Sequence, residues 1–196
     1  MTSSLFLLWR RLQAFALDYL VICGYLVVLV AFSVLLGLTP LGGRFGALFT
    51  DPTSAEITAF ALLVLPVLLY FALSESSPAQ ATFGKRARGL RVVAVGGEAV
   101  GFPRALARNA LKLIPWELTH ACLWRIPGWP LDPQTPPAWV SVGLVMVWVI
   151  VALYAVSLLV SKRGQTVYDR LAGVRVVVAT ASQAARARAG ESAYNA

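Results

Sequence analysis

Histidine occurs once in this chain, cysteine twice, and carboxylates number only 9 against 17 lysines and arginines. One histidine and two separated cysteines, Cys23 and Cys122, cannot assemble a metal-ligand set, so no metal is expected. Each cysteine lies in an apolar stretch, which excludes a disulfide framework and points to small buried hydrophobes. Charge itself is scarce, at 13% of residues, whereas 58% are hydrophobic and the mean hydropathy is +0.71. Such a balance excludes an ordinary soluble domain and indicates a polytopic membrane protein. No nucleophile is spaced with a base, and no cofactor fingerprint is present; Gly84-Lys85 has Ala79 where a phosphate loop needs its first glycine. An enzyme is therefore not expected, and neither is a cofactor. The net charge of +8 does not indicate nucleic acid, because the basic residues flank apolar runs without a recurring aromatic stacking platform.

Three runs, Leu17 to Leu38, Ile57 to Leu73 and Trp139 to Val160, approach or exceed the roughly 20 residues that a bilayer core requires. Thr53-x-x-Glu56 reads as a capping box opening the second, and Pro66 should only bend it. Three crossings would separate the chain ends. The basic residues nevertheless form three clusters: Arg10 and Arg11 before the first run, Lys85 to Lys112 after the second, and Lys162 to Arg188 after the third. Positive-inside topology puts all three clusters on the cytoplasmic side and leaves only Arg44 and Arg125 outside. Parity then demands a fourth crossing between Lys112 and Trp139.

The stretch from about Pro103 to Ile126 is its candidate, opening as an amphipathic interfacial helix on which Arg104, Arg108 and Lys112 form one basic stripe. From Leu113 to Trp124 only about 18 Å of helix is available, so this crossing is expected to be short, with a kink at Pro115. The expected architecture is a four-helix transmembrane bundle, with spans near 12–38, 57–74, 108–127 and 138–160, in a single domain over residues 1–180. Residues 181–196, rich in Ala, Ser and Arg, read as a disordered cytoplasmic tail.

An offset of 84 positions aligns Tyr70, Ser77, Thr82, Arg86, Gly89, Arg91, Val92 and Val93 with Tyr154, Ser161, Thr166, Arg170, Gly173, Arg175, Val176 and Val177. These matches suggest an internal repeat in which each copy is a helix, a basic turn and a short cytoplasmic strand, Leu90 to Val93 and Val174 to Val177. Gly96-Gly97 would turn the first strand back toward Glu98 to Phe102. Lys85 aligns with Asp169, a cation with an anion.

Asp18 is a carboxylate inside an apolar run, where charge is costly and functional by default. It shares a helix face with Arg11, about 10 Å away along the axis, so direct contact is not expected. Its expected partners are Arg108, Lys112, His120 or a bound cation. Glu117 and His120, three residues apart on one face, form a second polar cluster suited to a proton relay.

Arg11 and Asp18, with Gln165-Thr166-Val167-Tyr168-Asp169-Arg170-Leu171-Ala172-Gly173-Val174-Arg175 near the C-terminus, resemble the RDD family of prokaryotic membrane proteins, named for one arginine and two aspartates. Gly84-Lys85-Arg86-Ala87-Arg88-Gly89-Leu90-Arg91 and Arg108-Asn109 also look like family features, although Phe83 stands where a proline is common. The resemblance implies a bacterial inner-membrane protein in which Arg11, Asp18 and Asp169 are the defining residues, with transport of ions or small ligands suspected. Two readings stay open. Asp18, Glu117 and His120 serve cation or proton transport, or the chain is a scaffold or accessory subunit. In the second, a basic cytoplasmic face of Lys85, Arg86, Arg91, Arg104, Arg108, Lys112, Arg170 and Arg175 binds anionic lipid or a partner protein. Four short helices make a thin wall for a pathway, so transport would call for a homo-oligomer or membrane partner.

Overall fold

A computed structural model describes residues 3–161 and 163–179; the tail expected at 181–196 lies outside the described residues. The chain is mainly helical, with α1 at Ser3–Gly37, α2 at Gly42–Ala47, α3 at Pro52–Ala59, a π-helical turn at Phe60–Val64 and α4 at Leu65–Ser76. There follow α5 at Phe83–Ala87, β1 at Leu90–Ala94, α6 at Phe102–Leu123, α7 at Ala138–Val160, α8 at Val167–Leu171 and β2 at Val174–Val178. Among the described residues, three helical stretches are long and apolar enough to cross a membrane: Phe6–Gly37, Pro52–Ser76 and Ala138–Val160. Many of their large apolar side chains are exposed, such as Val27, Phe32 and Leu35 on α1 and Trp148 and Leu159 on α7, as lipid-facing positions require.

The described residues form two compact units. The first draws on the described residues within Met1–Val21, Leu68–Leu111 and Tyr154–Ala196. Its hydrophobic core is built by Ala14 of α1, Leu90 and Val92 of β1, Val174 and Val176 of β2, Val100 just before α6 and Ala105 in the first turn of α6. The strands pair antiparallel with Val92 opposite Val176, so two residues related by the 84-position offset face each other. Flanking bonds repeat the same relation: Val95 N–H donates to the Gly173 carbonyl at 3.0 Å and Ala179 N–H to the Gly89 carbonyl at 2.8 Å. Gly89 and Gly173 both carry positive φ, 62° and 64°, a conformation open to glycine at the ends of α5 and α8. Beyond β1, the Gly96-Gly97 turn returns the chain for a single bridge, Val93 to Ala99, before α6 begins.

The second unit comprises Ile22–Val67 and Lys112–Leu153. Asp51, not Thr53, caps α3: its carboxylate accepts from the N–H groups of Thr53 and Ser54, with Pro52 in the first turn. Glu56 is thereby released from the expected capping box and pairs with Arg125 at 2.5 Å. Gly143 of α7 approaches Cys122 of α6 so closely that a Cβ would stand 2.6 Å from the thiol sulfur.

Two prolines inside helices are accommodated by two tyrosines. Pro66 has no N–H for the Leu62 carbonyl four residues back, and the Tyr25 hydroxyl donates to that carbonyl at 2.5 Å beside the π-turn. Pro115 leaves the Leu111 carbonyl open in the same way, and the Tyr154 hydroxyl donates to it at 2.6 Å. Pro115 accordingly lies within one continuous α6.

Candidate functional site

The first unit holds a buried network of charged side chains in which Arg11, Lys85 and Arg108 pair with Asp18, Glu75 and Asp169. Its carboxylates are almost sealed, with relative exposures of 2% for Asp18 and 0% for both Glu75 and Asp169. Burying ions this deeply costs several kcal/mol each unless geometry and hydrogen bonds compensate.

Arg108 is the centre of one half. Its Nη1 lies 2.7 Å from both Glu75 oxygens, and its Nε and Nη2 lie 2.8 and 2.7 Å from Asp169 Oδ1. The planar guanidinium thus holds two carboxylates from different elements with opposite edges, a task for which arginine is suited and lysine is not. Asn109, next on α6, donates to Glu75 Oε2 at 2.8 Å and to the Ala105 carbonyl. Arg11 of α1 reaches Asp169 Oδ2 at 3.0 Å and donates also to the Gly164 carbonyl. Asp169 completes a capping box with Thr166 at the start of α8, so its backbone position is fixed by the turn that carries it. Burial pushes the Asp169 carboxyl upward, but Arg108 and Arg11 outweigh it and hold the group below its ordinary value of 3.8.

Asp18 is the centre of the other half. It accepts from Tyr70 Oη at 2.9 Å, Thr82 Oγ1 at 2.6 Å and the Gly84 N–H at 2.8 Å. Gly84 is required by this approach, because a Cβ there would fall on the Ala14 carbonyl oxygen of α1. Lys85 joins the two halves: its ammonium lies 3.0 Å from Glu75 Oε1, 3.9 Å from Asp18 Oδ2 and 3.4 Å from Thr82 Oγ1. The same Thr82 hydroxyl donates to Asp18, so ammonium, hydroxyl and carboxylate form one hydrogen-bonded line.

Several sequence expectations change here. Asp18 is neutralised by Lys85 and three neutral donors, whereas Arg108, one of its expected partners, is committed to Glu75 and Asp169. Lys85 and Arg108 leave the proposed basic face, since both are buried in ion pairs. Arg86, Arg104 and Arg170 are exposed, and Arg91, Lys112 and Arg175 are half-buried. Glu117 and His120 are half-buried on α6 and belong to the second unit, while Asp18 belongs to the first. Glu117 Oε2 and His120 Nδ1 are buried without a hydrogen-bond partner, and the imidazole lies edge-on to Trp116. Glu75, the hub for Lys85, Arg108 and Asn109, escaped the sequence reading. Its one signal was a lone carboxylate at the end of an apolar run, with more basic than acidic residues after it.

Membrane-length helices that carry a buried network of paired charges define an integral membrane protein whose polar chemistry is electrostatic. The sequence pattern of the RDD family matches residues 6–173, most of the chain, and the protein belongs to that family. No curated protein and no solved structure matches it significantly. Within the matched region, Arg11 and Asp169 are joined directly and Asp18 is linked to them through Lys85, Glu75 and Arg108.

Proposed function

We propose that the protein exchanges a monovalent cation for a proton at the Asp18–Lys85–Glu75 site. The position of Lys85 carries this reading: a single ammonium shared by two buried carboxylates is the one displaceable charge in the network. Arginine stays protonated in proteins, so Arg11 and Arg108 are permanent counter-charges, whereas a lysine can release its proton. A cation entering beside Asp18 and Glu75 adds one positive charge, which the loss of one proton from Lys85 offsets. The hydroxyl of Thr82, bonded to both Lys85 and Asp18, supplies a path for that proton. Glu117 and His120 are retained as a second polar step on α6, their unpartnered Oε2 and Nδ1 being free to take or give a proton.

In this reading α6 completes a four-helix bundle in a bacterial inner membrane, both chain ends are cytoplasmic, and an oligomer or membrane partner thickens the wall of the pathway. The offset of 84 positions is read as a duplication, supported by the facing of Val92 and Val176. Proteoliposomes loaded with a pH-sensitive dye test the exchange. Wild-type protein should move protons when a sodium or potassium gradient is imposed, and Asp18→Asn should not. No proton movement under any such gradient would remove the transport reading.

A second reading is favoured by the exposed Arg86, Arg104 and Arg170: a scaffold or accessory subunit held to anionic lipid or a partner. Each basic group near an anionic surface contributes about 1 kcal/mol.

A further inference from the structure

Arg91 and Arg175 differ from the paired cations of the first unit. Arg11, Lys85 and Arg108 each have a carboxylate. Among the described residues neither Arg91 nor Arg175 is paired with one, and the Nε of each is buried without a hydrogen-bond partner. A buried donor left unmade is costly, by about 1 to 3 kcal/mol, so two at offset-related positions call for an acceptor.

The strand register places the two arginines together. Leu90, Val92, Val174 and Val176 turn one face of the ribbon into the core, so strand alternation assigns Arg91, Val93, Arg175 and Val177 to the other. Arg91 is opposite Val177 and Arg175 opposite Val93, which makes the arginines diagonal neighbours, about 7 to 8 Å apart at their bases. Val93, on the same face, is enclosed, with 2% exposure. Two like charges are held near each other on a rigid ribbon.

We propose that Arg91 and Arg175 form a binding site for a phosphate group. Two guanidinium forks present up to four parallel donor positions, more than the two oxygens of one carboxylate satisfy, whereas a phosphate offers three or more acceptor oxygens to both forks at once. The site sharpens the anionic-surface reading from diffuse charge to one place, and rests on that reading alone; it lies outside the Lys85 network and does not depend on cation exchange. The phosphate can belong to a lipid headgroup or be free in solution, and the chemistry at the arginines is the same.

Binding to the full-length chain in neutral detergent tests the site, with short-chain phosphatidic acid, inorganic phosphate and short-chain diacylglycerol as separate probes. The double variant R91Q/R175Q should weaken phosphatidic acid at least about tenfold, whereas R104Q/R170Q, which removes two exposed charges elsewhere, should weaken it by less than about threefold. Diacylglycerol should not bind. Loss of inorganic phosphate in parallel assigns the site to free phosphate as well; loss of the lipid alone assigns it to a headgroup. The variant R91K/R175K keeps the charge and removes the forks, so it should also bind more weakly than wild type, and it reports on the site if the glutamine variant does not fold. Equal losses in R91Q/R175Q and R104Q/R170Q would overturn the site while leaving diffuse attraction intact. Wild-type affinity in R91K/R175K would overturn the fork pairing.

Discussion

The ammonium of Lys85 lies 3.0 Å from a carboxylate oxygen of Glu75, and neither residue bears much exposed surface. This pair connects the Asp18 half of the network to the Arg108 half. Its two members come from the end of a membrane-length helix and from the short α5 that follows, so the chain has only to turn once to bring them together.

Removing the arginine between Glu75 and Asp169 should damage the fold more than removing a peripheral charge. Arg108→Met leaves two buried carboxylates without their principal cation, and a loss of about 3 to 5 kcal/mol is expected. Thermal melting in detergent measures it. The triple variant Arg108→Met, Glu75→Gln, Asp169→Asn removes the stranded charges and should recover part of the loss, which separates unpaired charge from lost packing.

Gly84→Ala should be disruptive although it adds one methyl group. The new Cβ would fall on the Ala14 carbonyl, forcing α5 away from α1 and lengthening the Gly84 N–H bond to Asp18, now 2.8 Å. Overpacking of this kind costs about 1 to 3 kcal/mol. A mild change in melting temperature together with unaltered proton exchange would contradict this packing.

Much of the fold can be read from hydropathy and charge. Apolar runs marked the three membrane-length helices, because lipid leaves no choice but an apolar exterior, and the Thr82 and Thr166 turns showed in the offset of 84 positions. The pairing of charges was not legible. Arg108 reads as part of a basic stripe because spacing on one helix reports which residues share a face, not which element comes to cover it. Glu75 was hidden for the opposite reason: a carboxylate at a helix end has a ready solvent explanation, and only the packing of α6 shows that it is enclosed. The π-turn was equally hidden, since Pro66 announces a missing donor while the hydroxyl that replaces it comes from Tyr25, far away in sequence.

That replacement is testable. Tyr25→Phe and Tyr154→Phe each remove a hydroxyl from a carbonyl that a proline has left open. Each should cost about 1 to 3 kcal/mol, since the carbonyl is left without its replacement donor. Combining Tyr25→Phe with Pro66→Ala, which restores the backbone N–H, should recover stability in melting experiments. No recovery would mean that the hydroxyl does something other than complete the helix.

Acid should weaken the first unit through Asp169. Its carboxyl titrates below 3.8 in the folded protein, so the stabilisation is complete above that ordinary value and is lost as pH falls through the lowered one. Melting temperature should thus fall with acidification below about pH 4. Asp169→Asn should be less stable than wild type near neutrality and show a smaller further loss in acid.

Proton exchange by Lys85→Arg in proteoliposomes is the most direct test of the site. Arginine keeps a positive charge near Glu75 and Asp18 but does not release a proton in proteins. With the variant folded and reconstituted as wild type, sodium- or potassium-driven proton movement should vanish. Movement at the wild-type rate would contradict exchange through Lys85.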